Sequence, residues 1–131
     1  MLIFVFRGWF IGFLGFVLGL TRKLFKLSEL SSSMKITSHA FANNGNIPAK
    51  YTCDGAGVNP PLTFVDVPQN AKSLALTMED PDAPSGTFTH WMVWNIDPNT
   101  QIIKQESVPA GSVQGLNSAG NIGYRGPCPP I

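Results

Sequence analysis

Proline is the residue that most constrains how this chain can fold. The sequence has 11 prolines, all after Ile47, and 13 glycines. Proline lacks a backbone N–H and clashes with the preceding helical turn, so this density excludes long helices from the region. The sequence therefore predicts a mostly β domain with long loops.

Short runs in which apolar and polar residues alternate predict the strands. We expect extended segments over residues 35–38, 49–53, 62–65, 73–78 and 89–96. Residues 97–123 are rich in Gly, Asn and Ser and show little periodicity, which predicts a long loop.

The two longest predicted strands make definite predictions about which side chains share a face, because side chains alternate along a strand. Segment 73–78 is the best candidate for a central strand, and its apolar face would carry Leu74, Leu76 and Met78. In segment 89–96 the alternation places one set of residues on a common face, with Trp91 on the opposite one: His90, Met92, Trp94 and Ile96.

The first 20 residues, MLIFVFRGWFIGFLGFVLGL, are apolar apart from Arg7 and the glycines. A run of about 20 apolar residues is long enough to span a bilayer as a helix, and the basic residues that follow would keep the next domain on the cytoplasmic side. A signal peptide is less well supported, because most of the charge follows the run and no small-residue cleavage site appears. A third alternative is that the working protein starts at Met34.

These observations predict three segments. Residues 1–27 are a hydrophobic leader or membrane anchor, residues 28–33 a serine-rich linker, and residues 34–131 the folded domain. We expect a cytoplasmic domain, tethered to a membrane through residues 1–20 if the anchor is retained.

Charge and motif content exclude several classes of function. The formal net charge is +1, which leaves no clustered basic excess for nucleic acid. The sequence lacks a phosphate-binding glycine loop, an HExxH pair, a CxxC pair and a GxSxG turn. We therefore expect no metal, no cofactor and no nucleic-acid partner.

The residues most suggestive of a site are Asp80 and Asp82, which lie on either side of Pro81, and His90, which follows shortly after. Asp-Pro and Pro-Asp are also ordinary turn dipeptides, and a single histidine is often a core residue. Their combination is more informative, because a strand that ends at Asp80 and a neighbour that begins near His90 would bring these groups to the same rim. The sequence therefore predicts a small anion-binding pocket.

The two cysteines, Cys53 and Cys128, leave two alternatives open. So few cysteines do not form a disulfide scaffold, and a reducing compartment is the default expectation. A single bridge between them and a pair of free thiols near the pocket both fit the sequence.

Five separated motifs in this order resemble the phosphatidylethanolamine-binding protein family, in its bacterial and archaeal branch often called Raf-kinase-inhibitor-like. They are KYTCDG at 50–55, NPPL at 59–62, DPDAP at 80–84, HW at 90–91 and GYRGPCPP at 123–130. The resemblance implies a fold of two antiparallel sheets with one or two short peripheral helices, and a pocket for phosphate-like anions or phospholipid head groups.

The resemblance also implies a role for each residue that matches a motif. Asp80 and His90 would form the polar floor of the pocket, Asp82 would order the turn, and Pro84 would shape the wall, with a cis peptide bond as one option. The opposing lip would consist of five consecutive residues whose backbone can meet an anion: Gly126, Pro127, Cys128, Pro129 and Pro130.

The function implied is binding, with a kinase or protease as a partner to be modulated and no catalysis. The alternative is a small-molecule hydrolase in which Asp80 and His90 serve as general base and acid. Members of the family continue beyond the last motif into a His-Arg-Tyr segment and further strands. The resemblance therefore implies that the domain is incomplete, with an unpaired strand edge.

Overall fold

The computed structural model of the protein describes residues 2–7 and 34–129. In this part of the chain the structure has seven strands and one 3₁₀ turn at Ala49–Tyr51. The strands are β1 (Leu2–Arg7), β2 (Lys35–Thr37), β3 (Leu62–Val65), β4 (Leu74–Asp80), β5 (Phe88–Ile96), β6 (Ile102–Ile103) and β7 (Val113–Gln114).

The strands form two antiparallel sheets. One sheet has the order β1-β4-β5-β7, and the other has the order β2-β3-β6. Buried side chains from β3 and β6 of the smaller sheet and from β4 and β5 of the larger one make a single core cluster. The core therefore lies between the two sheets, and the prediction of a mostly β fold with two antiparallel sheets is confirmed.

Strand β4 is central, as the sequence predicted. It pairs with β1 on one side and with β5 on the other. Leu74, Leu76 and Met78 are 1%, 0% and 0% exposed, so they form the buried face of the strand. Strand β4 ends at Asp80, which therefore lies at the rim of the sheet.

Strand β5 departs from simple alternation near its end. Leu74 pairs with Ile96 and Leu76 pairs with Val93, so three steps on β5 face two steps on β4. This β-bulge includes Asn95, whose φ of 57° is a left-handed conformation that Asn tolerates. The extra residue turns Ile96 into the core beside Val93, and the prediction that Ile96 shares a face with Met92 and Trp94 is wrong.

A second bulge lies at the start of β5. Met78 pairs with Trp91 and Glu79 pairs with Thr89, which leaves His90 as the extra residue. His90 and Trp91 are consequently both buried although they are consecutive. Bulges often re-aim a side chain next to a functional site. Trp91 points into the core and is fully buried there.

Two predicted loop and strand assignments are wrong. Residues 49–53 were expected to be extended, but Tyr51 N–H donates to Pro48 O and Thr52 N–H donates to Ala49 O, which closes a 3₁₀ turn that buries Tyr51. The stretch 97–123 is not a continuous loop, because it contains β6 and β7. Strands of two residues are too short to show periodicity.

The N-terminal prediction of a helix is wrong over Leu2–Arg7, which pairs as strand β1 with β4 from Leu2↔Glu79 to Arg7↔Leu74. The remainder of the predicted leader and the linker at 28–33 lie outside the described residues. Among the residues that the structure describes, no helix has the length and apolar character needed to cross a bilayer.

Candidate functional site

A cavity of about 340 Å³ opens where β4 ends and β5 begins. This volume is within the range of small-ligand pockets. Its lining comes from the loop after β4, from β5, from residue 119 and from the segment 125–129: Asp80, Ala83, Pro84, Phe88, His90, Ala119, Arg125, Gly126, Pro127, Cys128 and Pro129. The structure thus brings most of the predicted site residues around one space.

The acidic side of the cavity is built by the turn after β4. Asp80 is half-buried and accepts a hydrogen bond at Oδ1 from the Asp82 backbone N–H, at 3.0 Å. Asp82 itself is exposed and does not line the cavity, and its contact in the turn is made by its backbone N–H rather than by its carboxylate. Pro84 lines the wall as predicted, but the described residues contain no cis peptide bond, and the cis option at Pro84 is therefore wrong.

His90 is 5% exposed and has one ring nitrogen fixed by the backbone. Its Nδ1 lies 2.8 Å from the carbonyl oxygen of Arg125. A carbonyl oxygen only accepts, so Nδ1 must carry the hydrogen and donate it. The neutral imidazole then has an unprotonated Nε2, whereas the protonated ring has a second N–H donor there. The ring of Phe88 packs beside it, with centroids 4.8 Å apart.

The lip opposite the acidic turn is residues 125–129, and it is attached on two sides. On the pocket side, the Arg125 N–H donates to His90 O at 2.8 Å. On the other side, the Cys53 N–H donates to Pro127 O at 3.0 Å, and Cys53 is bonded to Cys128 by a disulfide. The structure thus selects the bridge among the two alternatives that the sequence left open for the cysteines.

Gly126 lets the lip pass directly against the 3₁₀ turn. A Cβ placed at Gly126 would be 2.8 Å from Tyr51 O and 3.0 Å from Thr52 Cα. Real Cβ atoms are essentially never that close to backbone, so a larger residue at this position would push the lip away. The glycine at this place in GYRGPCPP is therefore explained by the close approach of two backbone segments.

Tyr124 supports the lip from the core. Its hydroxyl donates to Tyr51 O at 2.7 Å, and its ring makes an edge-on contact with Trp91. Burial raises the pKa of Tyr124 well above its usual value. The phenol therefore remains a protonated donor at neutral and moderately alkaline pH.

Sequence reasoning missed four residues of the cavity lining. Three of them lie next to features that the sequence shows, and the fourth does not. Ala83 and Arg125 lie inside the motifs that had been recognised, and Phe88 starts the strand that carries His90. Ala119 comes from the stretch predicted as loop, where the Thr89 N–H donates to Ser118 Oγ at 2.8 Å and the Ser118 N–H donates to Thr89 O at 2.9 Å. Only the tertiary fold places it. Pro130 lies outside the described residues.

A larger cavity of about 650 Å³ lies beside β2. Its lining has no ionisable side chain, in contrast to the smaller cavity, which has Asp80, His90 and Arg125. The described residues also contain no cluster of His, Cys, Asp or Glu that could hold a metal ion. The smaller cavity is therefore the better candidate for recognition of a charged ligand.

The fold and the site together define a class: a two-sheet β domain with a small, acid- and histidine-lined pocket under a disulfide-tethered lip. The sequence profile described as phosphatidylethanolamine-binding protein matches residues 37–131. The chain belongs to this family.

Relatives at about half identity come from several prokaryotes. A UPF0098 protein of Methanothermobacter thermautotrophicus is 50% identical over 102 residues, which are 74% of this chain and 68% of that protein. A UPF0098 protein of Pyrococcus horikoshii is 52% identical over 108 residues, which are 78% of this chain and 54% of the relative. In Archaeoglobus fulgidus the corresponding protein is 48% identical, and the match spans 37% of its length. This chain thus spans between 37% and 68% of the length of these relatives.

Two solved structures share the fold. The phosphatidylethanolamine-binding protein homologue of Chlamydia trachomatis superposes with a TM-score of 0.72 at 48% identity, covering 76% of this chain and 68% of that one. Escherichia coli YbcL, described as a member of the mammalian family, superposes with a TM-score of 0.69 at 32% identity, covering 74% and 67%.

Proposed function

We propose that the protein is a binding module whose pocket takes a phosphate-like anion, with phospholipid head groups as the ligand class. The observation that carries the proposal is the pairing of His90 with the lip, in which His90 Nδ1 and the Arg125 carbonyl meet at 2.8 Å. This contact leaves His90 Nε2 as the nitrogen that can serve a ligand. Membership of the phosphatidylethanolamine-binding protein family supports a binding function in general terms.

The charges around the pocket favour a ligand that carries both signs. Asp80 disfavours a bare anion close to its carboxylate, whereas His90 in its protonated form and the Arg125 guanidinium favour one. The N–H groups of Gly126 and Cys128 take no part in the backbone hydrogen bonds of the described chain, so they are available to an anion. A zwitterionic head group would satisfy both sides, with its ammonium towards Asp80 and its phosphate towards the lip.

Binding without turnover is favoured over the alternative of a hydrolase that uses Asp80 and His90. Within the described lining no residue carries a hydroxyl, and the sulfur of Cys128 is bonded to Cys53. A covalent mechanism needs an activated oxygen or sulfur of the protein within reach of a base, and this lining supplies none, so a hydrolase here would have to activate water through Asp80 or His90. A hydrolytic screen with the wild-type protein and His90→Ala tests this point, and turnover that His90→Ala abolishes would favour the hydrolase.

The decisive experiment is calorimetric titration with inorganic phosphate and with phosphoethanolamine. We expect saturable binding, tighter for phosphoethanolamine, and a loss of at least about tenfold for Asp80→Ala with the zwitterion. Asp97→Ala is the matched control, because Asp97 also precedes a proline and also accepts from the backbone N–H two residues later, but it does not line the pocket. The absence of saturable heat with both ligands, together with no effect of Asp80→Ala, would overturn the proposal.

Partners and location remain part of the proposal. We infer from the resemblance that a kinase or protease is modulated by this module, and co-purification of the full chain with such an enzyme is the test. A cytoplasmic location is tested by fractionation, in which the full chain is expected in the cytoplasmic fraction and recovery with membranes would contradict it.

A further inference from the structure

The disulfide Cys53–Cys128 is part of the wall of the ligand pocket. Cys128 lines the cavity, and Cys53 lies 75 residues earlier, directly after the 3₁₀ turn. We propose that this bond is a redox-modification site that controls the order of the lip, and through it the affinity of the pocket. The effect on affinity rests on the proposed function, whereas the effect on the lip does not.

Both cysteines are accessible to a reductant. Cys53 and Cys128 are exposed residues, in contrast to the buried bridges that stabilise many domain cores. Exposed disulfides are the ones that exchange readily with thiols, whereas buried ones resist reduction. The flanking Asp54 and Gly55 are exposed as well, so no folded element of the described chain covers the Cys53 side of the bond.

The reaction is a two-electron exchange with a dithiol. A thiolate of the reductant attacks one sulfur of the bond and releases the other as a thiolate, which takes up a proton. The second thiol of the reductant then resolves the mixed disulfide. Cys53 and Cys128 end as thiols, and the reductant ends as a cyclic disulfide.

Reduction removes the covalent part of the attachment on the Cys53 side of the lip. The remaining ties are the pair of hydrogen bonds between His90 and Arg125 and the bond from Cys53 N–H to Pro127 O. Pro127 and Pro129 have no N–H, so the segment 126–129 has few backbone donors with which to hold itself in place. The disulfide is therefore the main restraint on the part of the lip around Cys128.

A mobile lip weakens binding because only the fraction of molecules with the lip in place can bind. The apparent dissociation constant rises by the inverse of that fraction. We expect a loss of affinity of about tenfold on reduction, which corresponds to about 1.4 kcal/mol. The protein would then bind its ligand tightly under oxidising conditions and release it under reducing ones.

The test begins with whether the bond can be reduced in the folded full-length protein. Incubation with dithiothreitol, followed by alkylation and mass spectrometry, is expected to label two cysteines. Near-ultraviolet circular dichroism is expected to retain the signal of the packed core around Trp91. Reduction that occurs only with loss of this signal would make the bond a structural one and overturn the proposal.

Amide hydrogen exchange then measures how ordered the lip is, without any ligand. The deciding reporter is the Arg125 amide, which lies on the pocket side and donates to His90 O. We expect its exchange to accelerate at least about tenfold on reduction, with the amides of β4 unchanged. Acceleration at Cys53 alone would show a local effect at the bond and would contradict the proposal.

Titration with phosphoethanolamine completes the test. We expect the reduced wild type to bind about tenfold more weakly than the oxidised wild type. We expect the same weaker binding for the double variant Cys53→Ser, Cys128→Ser, and its affinity should not change when dithiothreitol is added. Equal affinity in both redox states would overturn the proposed control of binding. Failure of the oxidised protein to bind would count against the proposed function, and the Arg125 amide would still decide the redox control of the lip.

Discussion

At the scale of single residues, the two histidines show how context assigns a role. His39 is exposed and lies after β2. His90 is buried, and its Nδ1 donates to the Arg125 carbonyl, so only Nε2 remains for a ligand. The residue type and the DPDAP-to-HW spacing pointed to His90, but only the fold shows which ring nitrogen is free.

The free nitrogen makes His90 testable as a ligand contact. Nδ1 is held by the Arg125 carbonyl, so Nε2 is the ring nitrogen that can contact an anion in the cavity. His90→Ala should therefore weaken sulfate binding by about tenfold, which corresponds to about 1.4 kcal/mol. Calorimetric titration with sulfate is the measurement.

His39→Ala is the matched control, because His39 is exposed and does not line the cavity, and this variant should bind sulfate as the wild type does. If His90→Ala binds sulfate as tightly as the wild type, Nε2 does not contact the anion.

Tyr124 provides a second test at this scale. Tyr124→Phe removes the hydrogen bond to Tyr51 O and should lower the free energy of unfolding by about 1 kcal/mol in urea denaturation. Tyr51→Phe is the matched control, because its hydroxyl donates to Gln105 Oε1 at 3.2 Å, a longer bond than the 2.7 Å bond of Tyr124, and a smaller loss is expected. A larger loss for Tyr51→Phe would contradict this ranking.

The raised pKa of Tyr124 also predicts how stability depends on alkaline pH. The folded state holds the phenolic proton above the pH at which the unfolded chain releases it, near the ordinary tyrosine value of about 10. The unfolded state therefore binds fewer protons there, and stability falls as pH rises through and above that value. Unfolding midpoints measured from pH 8 to 11 should show this slope in the wild type and a shallower one in Tyr124→Phe.

At the scale of elements, the two bulges in β5 decide the faces that alternation alone could not. The sequence correctly placed β4 and β5 and the inward face of β4, because long runs with period two are strong signals. It misplaced Ile96, because one extra residue in a strand shifts every later side chain to the other face. The bulge at His90 likewise permits two consecutive buried residues.

The bulge at Asn95 is testable by substitution. Asn95→Val should destabilise the protein by about 2 kcal/mol more than Asn95→Gly, because a β-branched residue is strained at a φ of 57° whereas glycine is not. Both variants lose the bond from Asn95 Nδ2 to Gly111 O, so the difference isolates the backbone. Equal midpoints in urea denaturation would show that the strand does not need the bulge.

At the scale of the whole molecule, strand β1 is the largest surprise. The sequence suggested a hydrophobic leader over residues 1–27, yet Leu2–Arg7 pairs along nearly the whole of β4. The resemblance implied an unpaired strand edge, but the central strand β4 is paired on both sides in the described chain. An apolar run of this kind can serve as a strand or as a helix, and hydrophobicity alone does not choose between them.

The pairing of β1 with β4 predicts that a chain starting at Met34 is less stable than the full chain. Loss of its pairing leaves the backbone of β4 exposed along one edge, which favours association with other chains. We expect a drop of about 2 kcal/mol or more in the free energy of unfolding and concentration-dependent association in gel filtration. Phe4→Pro in the full chain is the matched control, because it disrupts pairing without shortening the chain. A Met34 chain as stable as the full one would exclude this role for β1.

The amino-acid sequence by itself determined the β class, the main strands, the inward face of β4 and most residues of the pocket, because proline density, alternation and motif order are local signals. Only the tertiary structure decided the Cys53–Cys128 bridge, the ring nitrogen of His90 that remains free and the contribution of Ala119. Each of these depends on contacts between segments that are far apart in sequence. The lip at residues 125–129 is the main example, because its motif is local but its two attachments are not.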